Sequence, residues 1–137
     1  MDKEIVQKLW KQYTADIEEI RSKLYNDAVK EVIIVKSEYL RMMNKMTAIY
    51  CFFLTQYQKY DAAVKNNKTA LLLAKKNEYE AKDEKFVKGI AEVEVDLKIK
   101  PLRLKRNYAE AGYKSAEQLI NTLKKNIDAF QDEKNKF

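Results

Sequence analysis

Between Lys98 and Arg106 five cations occur in nine positions with no acid among them: Lys98, Lys100, Arg103, Lys105 and Arg106. A second group, Lys65, Lys68, Lys75 and Lys76, falls within about 100° of arc on a helix of 3.6 residues per turn, and Lys59 lies one to two turns upstream. The chemistry open to such groups is the neutralisation of a polyanion. A single-stranded nucleic acid asks for cations that track phosphates and for aromatic faces on which bases stack. Tyr57, Tyr60, Tyr79 and Tyr108 are near in sequence and offer such faces. The plainer reading stands beside it: lysine runs are commonly solvated helix surface, and Tyr57 and Tyr60 also fit a helical core pattern.

Catalytic chemistry finds little support. The chain has no histidine, so neither a Ser–His nor a Cys–His nucleophile can be assembled, and the side chain best matched to proton transfer near neutrality is missing. Two isolated glycines, Gly89 and Gly112, make no phosphate-cradling loop. Asp83–Glu84 and the group Glu92, Glu94 and Asp96 match no calcium loop and read as solvated carboxylates. Cys51, the single cysteine, has no second thiol to pair with, and its place between Tyr50 and Phe52 predicts a small buried hydrophobe. A non-enzymatic protein without cofactor or metal is the expectation.

Composition sets the elements that must hold these groups. With 137 residues, 46% apolar and 35% charged, the chain suits a soluble domain with a real core. One proline, Pro101, and two glycines supply few of the positions that β-hairpins require, which leaves long helices with few connections. The longest uncharged run, Met46 to Gln58, is 13 residues and reads as buried helix rather than a membrane span. Asp2 and Glu4 near the N-terminus, with no apolar stretch after them, are unlike a signal peptide, and a reducing, cytoplasmic setting (the host cytoplasm for a viral protein) is expected. The net charge of +6 is unevenly spread, with eight bases against two acids over residues 36–77.

Apolar periodicity gives three segments. Residues 1–26 form an N-terminal amphipathic helix with Ile5, Val6, Leu9, Trp10, Tyr13, Ile17, Ile20 and Leu24 on one face, ending at the polar pair Asn26–Asp27. Residues 27–77 form a long basic helix whose seam steps by four and three through Val32, Lys36, Tyr39, Met43, Met46, Tyr50, Phe53, Tyr57, Tyr60 and Val64. The chain reverses between Asn77 and Gly89. A C-terminal helix over 90–132, kinked near Pro101, carries a seam from Val95 through Ile99, Leu102, Arg106, Ala109, Tyr113, Ala116, Ile120, Leu123 and Ile127 to Phe130. Alternation in Val93, Val95, Leu97 and Ile99 also fits a strand, with residues 32–35 as its partner; the heptad running through the segment favours helix.

The expected fold is all-α: a long antiparallel, coiled-coil-like helical hairpin within one domain, preceded by the amphipathic helix. A second stripe of Ile33, Leu40, Ile49 and Leu54, together with the aromatic residues Trp10 and Tyr13, lies off the seam and predicts a homo-oligomer interface.

The layout resembles that of the bacteriophage recombination mediator proteins, the UvsY family, over residues 27–130. Ser37-Glu38-Tyr39-Leu40 lies early in a long basic helix, a Lys-rich stretch ends near Glu78-Tyr79, and a terminal helix leads to Ile127-Asp128-Ala129-Phe130. The resemblance implies a ring-like homo-oligomer that binds single-stranded DNA and acts with a recombinase or a single-stranded-DNA-binding protein. The two basic groups, and not a motif of the family, give the expected contacts with such a strand: Lys59, Lys65, Lys68, Lys75, Lys76, Arg103, Lys105 and Arg106. The competing readings are a small helical module that inhibits or adapts a host protein, and a structural coiled-coil spacer.

Overall fold

Apolar residues at three- and four-residue steps, and so few glycines and prolines, leave helix as the one way to satisfy the backbone over long stretches. The computed structural model describes residues 2–29 and 35–136, with side chains as far as Ala129. Among these residues there are three helices and no strand: α1 (Lys3–Val29), α2 (Lys36–Ala81) and α3 (Lys88–Lys136). Residues 93–99 are therefore helical, and the alternation that suggested a strand comes from a helix apolar on two sides, with Val95 and Ile99 buried and Val93 and Leu97 exposed. Their suggested partner segment, 32–35, falls mostly outside the described residues.

Each helix end has an identifiable cause. At the start of α1 the Asp2 carboxylate accepts the Glu4 backbone N–H at 3.1 Å, an N-cap. Asn26 and Asp27 do not end that helix as expected; Asp27 pairs with Lys23 one turn earlier at 3.2 Å, and α1 continues to Val29. The reversal after α2 lies at residues 82–87, inside the predicted interval. Here the Glu84 N–H donates to the Tyr79 carbonyl at 2.9 Å and the Asp83 N–H to the Glu80 carbonyl at 3.1 Å, the two bonds of a Schellman closure. Asp83 takes the left-handed conformation this requires, with φ of 53°. Glycine holds that conformation without a Cβ penalty. Asp83→Gly should therefore raise stability by about 1 kcal/mol and Asp83→Val should lower it, read as opposite shifts in thermal midpoint.

α2 and α3 pack as an antiparallel hairpin: Asp61 pairs with Arg106, and Lys75, further along α2, pairs with the earlier Glu94. Packing divides the chain into two compact units, residues 1–53 with 111–137, and residues 54–110.

In the first unit α1 lies against the start of α2 and the end of α3. Its core is formed by Ile17, Ile20, Met42, Met46, Ile49, Phe53, Ala116, Leu119 and Leu123, with Trp10 and Tyr13 packed against it. Trp10 meets the Phe53 ring edge-on at 5.4 Å between centroids, and Tyr13 meets Phe52 at 5.2 Å. Asp16, buried on the same face of α1, accepts from Gln12 at 2.9 Å and pairs with Lys45 of α2 at 3.3 Å, so its charge is compensated. Gly112 admits Phe53: a Cβ there would lie 2.6 Å from the ring's Cγ.

One correction to the expected interface follows. Ile49 is fully buried inside this chain and presents no outer surface. Trp10 and Tyr13 are half-buried and pack against Phe52 and Phe53 of α2 in the same chain. Of the remaining positions, Leu40 is exposed, Leu54 is half-buried and Ile33 lies outside the described residues. Cys51 is also exposed rather than buried, because Ile49 and Phe53 take the inward positions on either side of it.

In the second unit Val64 on α2 and Ala91, Val95, Ile99 and Ala109 on α3 are buried. Pro101 sits inside α3, which runs through it on its exposed side without a break in the helix. Phe86 in the reversal meets Tyr79 of α2, with ring centroids 5.8 Å apart.

Candidate nucleic-acid interface

Arg106 interrupts the apolar seam of α3, and a guanidinium turned toward a neighbouring helix needs an anion there. Asp61 on α2 supplies it. Its carboxylate lies 3.6 Å from Arg106 and 2.9 Å from Lys65, four residues along the same helix. One acid thus serves two cations from two helices. The hydrogen bond from Lys65 holds the Asp61 carboxyl below its ordinary value of 3.8, and Arg106 adds to that pull. Reciprocally, Asp61 raises the pKa of Lys65. A carboxyl with a depressed pKa contributes its stability above the ordinary range and loses it only as pH falls through the lowered value, so the triad is intact near neutrality.

One residue before Asp61, the half-buried ring of Tyr60 has two ammonium groups beside it. Lys59 and Lys105 each place their Nζ 5.6 Å from the ring centroid, within cation–π range. The fold therefore draws Lys59, Lys65, Lys105 and Arg106, from two clusters far apart in sequence, around the dipeptide Tyr60–Asp61. Counting Asp61, this patch carries a net charge of +3.

The other candidate cations are placed differently. Lys75 is bound to Glu94 at 2.7 Å, its pKa raised chiefly by that hydrogen bond, and Arg103 is bound to Asp96 at 2.6 Å. Both are largely committed within the chain. Lys68 is half-buried and Lys76 exposed, and neither makes an ion pair among the described residues; the same holds for Lys59 and Lys105.

Sequence reasoning found these cations but not what organises them. Tyr60 was expected in the seam, and Asp61 was not singled out at all. The available signal was the polar gap at Arg106, together with an acid four residues before Lys65 that favours a helical ion pair.

No protein-family model, no curated protein and no solved structure matches this chain. Among the described residues no helix is long and apolar enough to cross a membrane, and no group of three or more acidic or cysteine side chains is placed to hold a metal ion.

Proposed function

We propose that the chain is a non-enzymatic protein that binds single-stranded DNA through the patch around Tyr60. The observation that carries this reading is the pair of ammonium groups, Lys59 and Lys105, beside one aromatic ring, next to a cationic triad. Phosphates take up the ammonium groups as these swing from the ring, and the ring face so released receives a base. Stacking and charge then act at adjacent positions along one strand, which is how sequence-tolerant single-strand binding arises. The resemblance to recombination mediators extends the proposal to a homo-oligomer acting with a recombinase or a single-stranded-DNA-binding protein.

The test is a titration of a fluorescent oligonucleotide at several salt concentrations. Binding should weaken with salt at a log–log slope near −0.7 for each phosphate contact, or about −2.8 if Lys59, Lys68, Lys76 and Lys105 all engage. Tyr60→Leu keeps an apolar side chain in place but removes the stacking face. It should lower affinity by roughly 5- to 150-fold, the equivalent of about 1–3 kcal/mol for one stacked base. A wild-type protein with no salt-sensitive binding at about 50 mM salt removes the nucleic-acid reading and leaves a protein-interaction module as the account.

A further inference from the structure

In the second unit α3 is apolar on two opposite faces. Ala91, Val95, Ile99 and Ala109 are buried, whereas Ile90, Val93, Leu97, Leu104 and Tyr108 are between 48% and 68% exposed. The exposed residues recur at helical spacing and, with Pro101 completing the row, form a stripe about 27 Å long at 1.5 Å per residue. Single exposed hydrophobes are ordinary, but a continuous row of six marks a contact surface.

We propose that this row is covered by the same row of a second copy, with the two α3 helices antiparallel about a two-fold axis near Ile99. The argument for this occupant lies in the pattern's symmetry. An antiparallel pair centred there sets Ile90 opposite Tyr108, Val93 opposite Leu104, and Leu97 opposite Pro101. The charges bordering the row obey the same symmetry: on one border Glu94 comes opposite Lys105, and on the other Asp96 comes opposite Arg103. Acid therefore meets base on both sides. A parallel pair would instead bring opposite borders together at the same height, setting Glu94 against Asp96 and Lys105 against Arg103, acid to acid and base to base. Lys98 and Lys100 lie nearest the axis and are the unfavourable element, so moderate salt should favour the dimer. Within one chain Asp96 already holds Arg103 at 2.6 Å and Glu94 holds Lys75 at 2.7 Å, which keeps these carboxylates in place for sharing with the partner. Ile49, Trp10 and Tyr13 play no part in this surface.

The pairing does not rest on nucleic-acid binding, and its test uses protein alone, so the two readings fail separately. Sedimentation equilibrium of the full chain should give a dimer mass at about 100 µM, and Leu97→Glu should give a monomer with unchanged helix content. Should Leu97→Glu lose helix, Leu97→Gln at the same site reports the same shift in mass. Orientation is read by cross-linking in a Cys51→Ser background, which removes the exposed native thiol. Lys100→Cys places two thiols beside the axis and should yield a disulfide-linked dimer on mild oxidation. Ile90→Cys places them about 27 Å apart at 1.5 Å per residue and should not. A monomeric wild type, a Leu97→Glu chain that remains dimeric, or equal cross-linking at both positions overturns the proposal.

Discussion

A chain carrying Ile49→Glu is expected to lose the cooperative fold of its three-helix unit, with far-ultraviolet circular dichroism falling and the thermal transition disappearing or moving well below that of the wild type. Ile49 has no exposed surface and sits among Ile17, Ile20, Met42, Met46, Phe53, Ala116, Leu119 and Leu123. A glutamate there must either leave an uncompensated carboxylate in apolar surroundings or become neutral at the cost of a raised pKa. The charge alone costs about 3–5 kcal/mol, and the lost isoleucine packing adds to it. That is comparable with the whole stability of a typical domain, about 5–15 kcal/mol. The controls lie on the same helix. Leu40→Glu at an exposed position should change stability by less than about 1 kcal/mol, and Leu54→Glu at a half-buried one should fall between. If Ile49→Glu melts like the wild type but halves the particle mass, Ile49 is an interface residue and not a core one.

Asp61→Asn is expected to strengthen binding to single-stranded DNA, although it removes two ion pairs from the protein. The amide keeps the shape of the side chain but no longer claims Lys65 and Arg106. Both cations then become available to phosphates, and the patch gains one unit of positive charge. If both engage, the log–log salt slope should steepen by about 1.4, two contacts at 0.7 each. At low salt the gain in affinity should be about tenfold or more, shrinking as salt rises. The stability difference between Asp61→Asn and the wild type has its own pH signature. Because the native carboxyl titrates below its ordinary range, the wild type's advantage should be present at neutral pH and vanish as pH falls through the lowered value. Weaker binding by Asp61→Asn would mean that the triad shapes the patch rather than restrains it.

Much of the fold was legible because it depends on periodicity. The seam of α3 lies where the apolar steps put it: Val95, Ile99, Ala109, Ala116, Leu123 and Ile127 are all buried. On α2 half the seam was displaced by one residue. Met46, Phe53 and Val64 face inward as expected, but the intervening positions are Met42, Ile49 and Gln56 rather than Met43, Tyr50 and Tyr57. The pattern could not separate Met42 from Met43 or Ile49 from Tyr50, since each pair is apolar. At the third step it pointed the wrong way, because the buried residue is polar. Gln56 is 6% exposed and its Oε1 has no hydrogen-bond partner among the described residues. Tyr50 and Tyr57 instead border the seam, each half-buried, as a ring with a polar tip can do. This one-residue displacement is also what turned Ile49 from a supposed outer residue into a core one. The site was legible only as two separate lists of cations. Which of them meet depends on the pairing of α2 with α3, and that register is a tertiary fact absent from any window of sequence.

The seat of Phe53 against Gly112 fixes the phase of the two helices. Any residue other than glycine at that point brings a Cβ to within 2.6 Å of the ring, and the chain's other glycine, Gly89, stands more than six turns away on α3. Sliding α3 by a heptad in either direction would bring Lys105 or Leu119 to the ring, and slips of three or four residues bring Tyr108, Ala109, Ser115 or Ala116, each of which carries a Cβ. Only one alignment admits the ring, so neither a piston stroke nor a ratchet along the seam is open to this pair of helices. At this contact the two helices can bend or part, but they cannot change gear.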